Sequence, residues 1–235
     1  MKKILFALLL TLSFTLCAQA LTPINPATVP EHRLGVGWWK TRLEAKEQQA
    51  QTPHDTVLIG DSITHFWDEY APDLLQHYFG NALNLGFSGD ETQHVLWRIQ
   101  RINWQIVAPK RIMLMIGTNN TGHNINTPPV ATFEGIQQIV RTLRTSCPQA
   151  KITVLYIFPR GNDGSDIKRQ VNNAINRMMP TLAEGKTVIC RDISACFFEL
   201  DGHTLRRDLM PDLLHPNKEG YRLWGEAVAK EFMAE

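Results

Sequence analysis

The chain has 235 residues, of which 43% are hydrophobic and 20% are charged, and its formal net charge is +1. This is the composition of an ordinary globular protein, and the length allows one large domain or two small ones. The basic residues are scattered and form no stripe, so the sequence indicates no nucleic-acid partner.

The first twenty residues have the pattern of a secretory signal peptide. Lys2 and Lys3 precede an uncharged apolar run that ends in the segment Ala18–Ala20. A positive start, a short apolar core and an A-x-A ending are typical of such signals. The run is shorter than the ~18 residues of a spanning helix, so no stable membrane anchor is expected. We expect cleavage after Ala20 and a periplasmic or extracellular mature protein.

The rest of the chain is predicted to form a single domain over residues 31–235, after an extended lead-in at residues 21–30 that contains three prolines. No repeat, low-complexity tract or linker interrupts it. Helix-like and strand-like segments alternate along this domain. In chain order they are a helix at 37–51, a strand at 56–59, a helix at 67–79, a strand at 82–85, a helix at 91–102, a strand at 111–116, a helix at 132–145, a strand at 152–158, a helix at 167–182, a strand at 188–193 and a helix at 218–233.

The predicted strands are short and almost continuously apolar, as in "RIMLMIG" and "KITVLYIF". Such strands are typical of a parallel sheet that is covered by helices on both faces. The alternation therefore predicts an α/β fold, a doubly wound three-layer α/β/α sandwich with about five parallel strands.

Small hydrogen-bonding residues follow the first three predicted strands. These strands lead into Gly60–Ser62, Asn84–Asp90 and Gly117–Asn120. Ligands bind beyond the carboxyl ends of the strands in doubly wound folds, so the three loops are expected to meet at one edge of the sheet. Phosphate binding by the glycines is another interpretation, but the sequence has neither G-x-G-x-x-G nor Gly-Lys-Ser/Thr.

Ser62 is the candidate nucleophile at this edge. A nucleophilic serine needs a base within about 3 Å, and the base needs an orienting carboxylate. Asp212 stands three residues before His215, and one turn of helix-like backbone would bring both side chains to the same side. Pro216 restricts His215 to extended conformations, and Asn217 suits the N-cap of the last helix.

An attacking serine also needs preorganised donors for the oxyanion that it creates. The candidates are the backbone N–H groups of Ser62 and Gly89 and the side-chain amide of Asn119. Each motif taken alone has a simpler interpretation. Gly-Asp-Ser is a common turn, Asp-x-x-His is a common surface hydrogen bond, and Asn119 suits a left-handed turn.

The cysteines and histidines indicate no metal site. Signal cleavage leaves Cys147, Cys190 and Cys196, an odd number, so at least one thiol stays free or pairs between chains. A Cys190–Cys196 bridge and a buried Cys190 thiol are both open. No Cys-x-x-Cys, H-x-H or H-E-x-x-H spacing is present, so no zinc is expected.

The tryptophans at helical positions are expected to be core or interface residues rather than platforms for sugars. These are Trp38, Trp39, Trp67 and Trp97.

Four short blocks resemble those of the SGNH hydrolases, also called GDSL esterases and lipases. They are "GDS" at Gly60–Ser62, Gly89 in "GFSGD", Asn119 in "GTNN", and "DLLH" at Asp212–His215. The resemblance implies a flavodoxin-like SGNH hydrolase fold, with no metal or organic cofactor. It implies the same roles as the residues themselves, with Ser62 as nucleophile, His215 as base, Asp212 as its orienter, and Ser62, Gly89 and Asn119 as the oxyanion hole.

Within that family, the stretches that begin at Asn84, Gly117 and Phe158 are similar to the catalytic subunits of intracellular platelet-activating factor acetylhydrolase. Those relatives lack a signal peptide, and secreted bacterial members resemble carbohydrate acetylesterases instead. The expected function is therefore a secreted serine esterase that removes short acyl groups, acetyl above all, from a small-molecule or carbohydrate ester. A lipid-directed acetylhydrolase or lysophospholipase and a non-catalytic carbohydrate-binding protein are the alternatives. The likeness also allows a homodimer.

Overall fold

Five parallel strands form one sheet in the computed structural model, which describes residues 24–232. Their order across the sheet is β2-β1-β3-β4-β5, the flavodoxin-like doubly wound arrangement, and the predicted α/β fold with five parallel strands is confirmed. The strands are β1 (Thr56–Gly60), β2 (Ala82–Gly86), β3 (Arg111–Met115), β4 (Lys151–Leu155) and β5 (Val188–Arg191).

Helices connect the strands and cover both faces of the sheet. They are α1 (Gly37–Gln49), α2 (Ser62–His65), α3 (Trp67–Tyr70), α4 (Pro72–Phe79), α5 (Thr92–Ile99), α6 (Trp104–Val107), α7 (Thr118–His123), α8 (Pro129–Ser146), α9 (Ile167–Asn176) and α10 (Lys218–Phe232). Short 3₁₀ helices lie at Pro26–Thr28, Met179–Leu182 and Ser194–Phe197.

The two faces of the sheet carry separate hydrophobic cores, because successive side chains of a strand point to opposite sides. In β1, Val57 and Ile59 join the core under α5 and α8, whereas Leu58 joins the core under α4 and α10. All three side chains are fully buried, and burial of one such side chain is worth about 1.5–3 kcal/mol. The sheet is therefore held rigidly from both sides.

Two predicted helices are shorter than expected because each contains a proline. The predicted helix at 67–79 is divided at Ala71, whose φ of −147° is not helical, and Pro72 begins α4. The predicted helix at 167–182 ends at Asn176 and is followed by a 3₁₀ helix that contains Pro180. Proline disfavours the helical conformation of the residue before it and is tolerated in the first turn of a helix.

The sequence did not predict α7 or the bounds of α2. Both are short, at six and four residues, and both begin directly after a strand. One turn of helix carries no readable apolar periodicity, because tertiary packing rather than propensity stabilises it.

The chain before α1 packs on the domain. The Thr92 hydroxyl donates to the Ala27 carbonyl at 2.8 Å, and the Glu31 N–H donates to the Gln93 carbonyl at 3.1 Å. The lead-in predicted at residues 21–30 therefore includes, in its described part, a 3₁₀ helix with a buried Ala27.

The predicted signal peptide lies outside the described residues, so it stays a prediction, as does the domain division. Across residues 24–232, no helix combines the length and the apolar character that crossing a membrane requires.

Candidate active site

The register of the sheet brings the three polar loops to one level. Gly60, the last residue of β1, pairs with Gly86 at the end of β2 and with Met115 at the end of β3. The segments that follow these residues therefore leave the sheet side by side. This edge is also the point between β1 and β3 where strand order reverses, the usual ligand site of such folds.

Ser62 is the first residue of α2, which is attached firmly to its surroundings. The Asp61 carboxylate caps this helix by accepting the Ile63 N–H at 3.0 Å. The Tyr221 hydroxyl of α10 donates to the Ile63 carbonyl at 2.7 Å. A Cβ at Gly86 would overlap the backbone at His65, so glycine alone lets α2 lie this close to β2. The nucleophile candidate therefore stands on a rigid support.

Ser62, His215 and Asp212 form a continuous chain of hydrogen bonds. Ser62 Oγ lies 2.8 Å from His215 Nε2, and His215 Nδ1 lies 2.6 Å from Asp212 Oδ2. Burial acts to raise the pKa of Asp212, but hydrogen bonds from the His215 side chain and backbone outweigh it and hold that pKa below its ordinary value. An ionised Asp212 assigns the Nδ1 proton to the imidazole, which leaves Nε2 free to accept the Ser62 proton.

The backbone from Asp212 to His215 differs from the helix-like turn expected from the sequence. Asp212 Oδ1 accepts the N–H groups of Leu214 at 3.0 Å and His215 at 2.7 Å, and Leu213 has a φ of +60°. Aspartate favours such side-chain turns, and Pro216 keeps His215 out of a helix. The prediction that Asn217 caps α10 is confirmed, since its side chain accepts the Gly220 N–H at 3.1 Å.

Three groups around Ser62 are candidates for the oxyanion hole. The Ser62 N–H has no acceptor within α2, because the first residue of a helix has none. Gly89 has a φ of +74°, a conformation that favours glycine, and a side chain there would also crowd Arg33. The Asn119 amide donates one N–H to the Asp90 carbonyl at 2.9 Å, and the same amide nitrogen carries a second N–H donor. The role of these groups stays a prediction.

Asp90 links the loop of Gly89 to Asn119 of α7, and no role was predicted for it from the sequence. Its carboxylate is fully buried and accepts three side-chain N–H groups, from Arg98 at 2.8 Å, Trp39 at 2.8 Å and Arg33 at 3.2 Å. Its carbonyl binds Asn119. An acidic residue after Gly89 was visible in the sequence, but Arg33 and Trp39 come from a distant segment, and no local pattern marks Arg98 in the next helix as its partner.

His65 supports the same loop from α2. Its Nδ1 lies 3.3 Å from the Ser88 N–H and 2.9 Å from the Ser88 hydroxyl, and its Nε2 lies 3.3 Å from Glu69. Burial, with a further contribution from the Arg42 charge, lowers the pKa of His65 to about 4. A neutral His65 with its proton on Nε2 accepts from Ser88 and donates to Glu69.

An open groove of about 620 Å³, which we call the catalytic groove, is lined by His215 and Asp212. Ser62, Gly89 and Asn119 lie outside its lining. Tyr70, Pro211 and Glu69 form part of its walls. Around this groove and elsewhere in residues 24–232, no three His, Cys, Asp or Glu side chains gather as metal ligands.

Among the four tryptophans, Trp38 is not a core residue, and a place for it at an interface stays a prediction. Trp39 and Trp67 are fully buried and Trp97 is partly buried, as core or interface residues should be, but Trp38 is 45% exposed. Trp38 follows Gly37 at the start of α1, where the helix projects beyond the small core around Trp39.

Comparison with known proteins identifies the family. The model of the GDSL-like lipase/acylhydrolase family matches residues 58–223. The chain belongs to this family. It is 33% identical over 208 residues to platelet-activating factor acetylhydrolase IB subunit alpha2 of Homo sapiens, with 84% of this chain and 86% of the relative covered. The Gallus gallus protein of the same name is 34% identical over 213 residues, with 88% and 86% covered.

Solved structures share the fold at lower identity. A GDSL-like lipase of Bacteroides thetaiotaomicron has a TM-score of 0.67 at 16% identity, with 82% of this chain and 96% of that chain covered. An acetylxylan esterase of Geobacillus stearothermophilus has a TM-score of 0.61 at 20% identity, with 79% and 97% covered. The predicted family resemblance is confirmed, and the protein is a carboxylic ester hydrolase rather than a non-catalytic binding protein.

Proposed function

We propose that the protein is a secreted serine esterase that removes short acyl groups, acetyl above all, from carbohydrate hydroxyls. The observation that carries the serine mechanism is the pair of hydrogen bonds that links Ser62 Oγ to His215 at 2.8 Å and His215 to Asp212 at 2.6 Å. This is the arrangement in which imidazole activates a hydroxyl and a carboxylate stabilises the resulting imidazolium.

The proposed reaction proceeds in two halves. Ser62 Oγ attacks the acyl carbonyl while His215 Nε2 takes the hydroxyl proton. The oxyanion is met by the N–H groups of Ser62 and Gly89 and by the Asn119 amide. When the ester bond breaks, His215 returns the proton to the departing alcohol, and the acyl group stays on Ser62. Water then attacks the acyl-enzyme while His215 takes its proton. As the acyl–Oγ bond breaks, His215 returns that proton to Ser62 Oγ, and the acid and free Ser62 are released.

The choice of a short acyl group and a sugar acceptor has two supports. The relatives at 33–34% identity are named acetylhydrolases, and one fold neighbour is named an acetylxylan esterase. The walls of the catalytic groove mix aromatic and prolyl surfaces with Glu69 and Lys218. Long acyl chains need a more continuously apolar wall than this.

The test is hydrolysis of p-nitrophenyl acetate, butyrate and octanoate and of acetylated xylose, with Ser62→Ala beside the wild type. We expect acetate to be preferred, and Ser62→Ala to lower kcat by up to ~10⁶, as loss of the nucleophile does in serine hydrolases. Equal turnover by wild type and Ser62→Ala would contradict the mechanism. Ser62-dependent hydrolysis of aryl acetate without any release of acetate from sugars would contradict the carbohydrate assignment.

The second candidate is a lipid-directed acetylhydrolase. It is favoured by the names of the relatives, which refer to platelet-activating factor. Release of acetate from a 2-acetyl ether phospholipid, faster than from acetylated sugars, would favour it. Activity that rises from acetate to octanoate would favour a lysophospholipase.

Secretion and assembly are part of the proposal. The pattern of the first twenty residues supports export, and N-terminal sequencing of the mature protein is expected to begin at Leu21. An unprocessed Met1 in the exported fraction would contradict it.

A homodimer stays a prediction, which light scattering of the purified protein tests.

A further inference from the structure

We propose that a second groove, which runs along α1, binds the alcohol part of the ester and is shaped for an oligosaccharide. This inference rests on the proposed function and names the subsite that extends its substrate. The α1 groove has a volume of about 760 Å³. It is lined by one face of α1 from Trp38 to Gln49 and by His65 and Glu69 on the opposite side. Ser88, in the loop of residues 87–90 that we call the oxyanion loop, completes the lining.

The α1 groove lies next to the catalytic groove, with Glu69 between them. Glu69 lines both of them, and Ser88 precedes the oxyanion candidate Gly89 in the chain. The departing alcohol oxygen must lie beside His215 Nε2, because that nitrogen returns the proton to it. The alcohol part of a substrate therefore starts in the catalytic groove, and a longer alcohol passes Glu69 into the α1 groove.

Trp38 provides the apolar surface of the α1 groove. Its side chain is 45% exposed, and it is oriented by the near-parallel His65 ring at 6.1 Å and by the Arg33 guanidinium at 5.8 Å. The exposed part of a tryptophan at a site edge is suited to contact with a partly apolar ligand such as a sugar ring.

The charges of the α1 groove compensate each other, which favours a neutral ligand. Arg42 and Lys46 both pair with Asp68, at 2.8 Å and 3.0 Å, and Glu69 provides the second negative charge. An anionic ligand would meet no unpaired cation here. Polar groups such as exposed Gln49 interrupt the apolar surface, so a long acyl chain would desolvate them without hydrogen bonds. The hydroxyl groups of a sugar, by contrast, can form hydrogen bonds with these polar groups.

The length of the groove indicates more than one sugar unit. Trp38 and Gln49 stand eleven residues apart on one helix, and at 1.5 Å per residue this face extends about 16 Å. This face is longer than a single sugar ring, so it suits a short oligosaccharide.

The test compares acetylated xylose, acetylated xylotetraose and p-nitrophenyl acetate as substrates. Trp38→Ala removes the platform, and Ala45→Arg obstructs the groove at an exposed position of the same face. Both variants are expected to lower kcat/KM for the tetrasaccharide about tenfold more than for p-nitrophenyl acetate, chiefly through KM. Trp38→Phe is expected to restore most of the loss. Lys40→Ala, on the same helix but outside the groove, is the control and is expected to behave as wild type.

A second measurement does not depend on activity. Calorimetric binding of unacetylated xylotetraose to Ser62→Ala is expected, and Trp38→Ala in that background is expected to weaken it about tenfold. Absence of tetrasaccharide binding to Ser62→Ala, or equal losses on all three substrates, would overturn the subsite. So would a Trp38→Ala defect confined to octanoyl esters, which would assign the groove to an acyl chain. Failure of the proposed function itself would appear differently, as the absence of any Ser62-dependent deacetylation of sugars.

Discussion

Asn119 is the residue whose two roles can be separated by kinetics. One N–H of its amide donates to the Asp90 carbonyl, and the other is the proposed donor to the oxyanion. Asn119→Ala is expected to lower kcat on p-nitrophenyl acetate about 10²–10³-fold with little change in KM, because the oxyanion exists only beyond the ground state. A loss confined to KM, at an unchanged melting temperature, would contradict this role.

Asp61 is a fully buried carboxyl next to the nucleophile, and burial raises its pKa from 3.8 to about 7. In the unfolded chain the same carboxyl ionises near 3.8. Its contribution to stability is therefore present at low pH and is lost as pH rises towards and through 7. Asp61→Asn keeps an acceptor for the Ile63 N–H without the charge.

The free energy of unfolding of Asp61→Asn, relative to that of the wild type, is expected to rise by about 2–3 kcal/mol from pH 5 to pH 8. Urea unfolding at the two pH values measures the difference between the variants. A difference that is independent of pH, or that shrinks as pH rises, would contradict a raised pKa.

At the scale of elements, the oxyanion loop is held by the chain that precedes α1. Arg33 donates to the Ser88 carbonyl at 2.8 Å and to the Asp90 carboxylate at 3.2 Å, and its side chain is only partly exposed. This segment is outside the βα repeat of the fold, yet it reaches the site. A mature chain that begins at Leu21 would still contain Arg33.

Arg33→Ala is expected to lower kcat about 10-fold, since a hydrogen bond to a charged group is worth about 1.5–3 kcal/mol and only part of it acts through the loop. The buried Arg98–Asp90 pair is retained, so the melting temperature should change little. Arg101→Ala, which removes a surface pair with Glu47, is the matched control. Equal kcat values for the two variants would show that Arg33 does not position the loop.

At the scale of the whole molecule, the sheet separates the cysteines. Cys190 packs against the core under α5 and α8, Cys196 packs against the core under α4 and α10, and Cys147 is buried. All three are free thiols, so the structure does not form the Cys190–Cys196 bridge that the sequence left open. A bridge would have to pass from one face of the sheet to the other.

Dithiothreitol is therefore expected to leave the melting temperature of the purified protein unchanged. Loss of a native disulfide typically removes 2–5 kcal/mol of stability, which would be a clear shift. A lower melting temperature under reducing conditions would contradict the free thiols. A Cys196→Ser variant, measured beside the wild type, controls for other effects of the reagent.

Much of the fold could be predicted because its signals are local. Apolar runs such as Arg111–Met115, with helical segments between them, indicate a parallel sheet, since buried strands need apolar residues on both faces. The boundaries of α3 and α4 were predicted less well, although Pro72 marked the break. Short elements at the site, α2 and α7, have no periodicity to read.

Local motifs were sufficient to identify the family, the α/β class and the candidate nucleophile, base and orienting acid, because each lies in a short motif at a strand end or helix start. Only the tertiary structure decided that Asp90 joins Arg33, Trp39 and Arg98 beneath the oxyanion loop, and that Trp38 lies open beside a groove. Those contacts join segments up to 57 residues apart. Which distant side chains meet depends on the order and register of the strands and on the packing of α1, and local sequence patterns do not encode it.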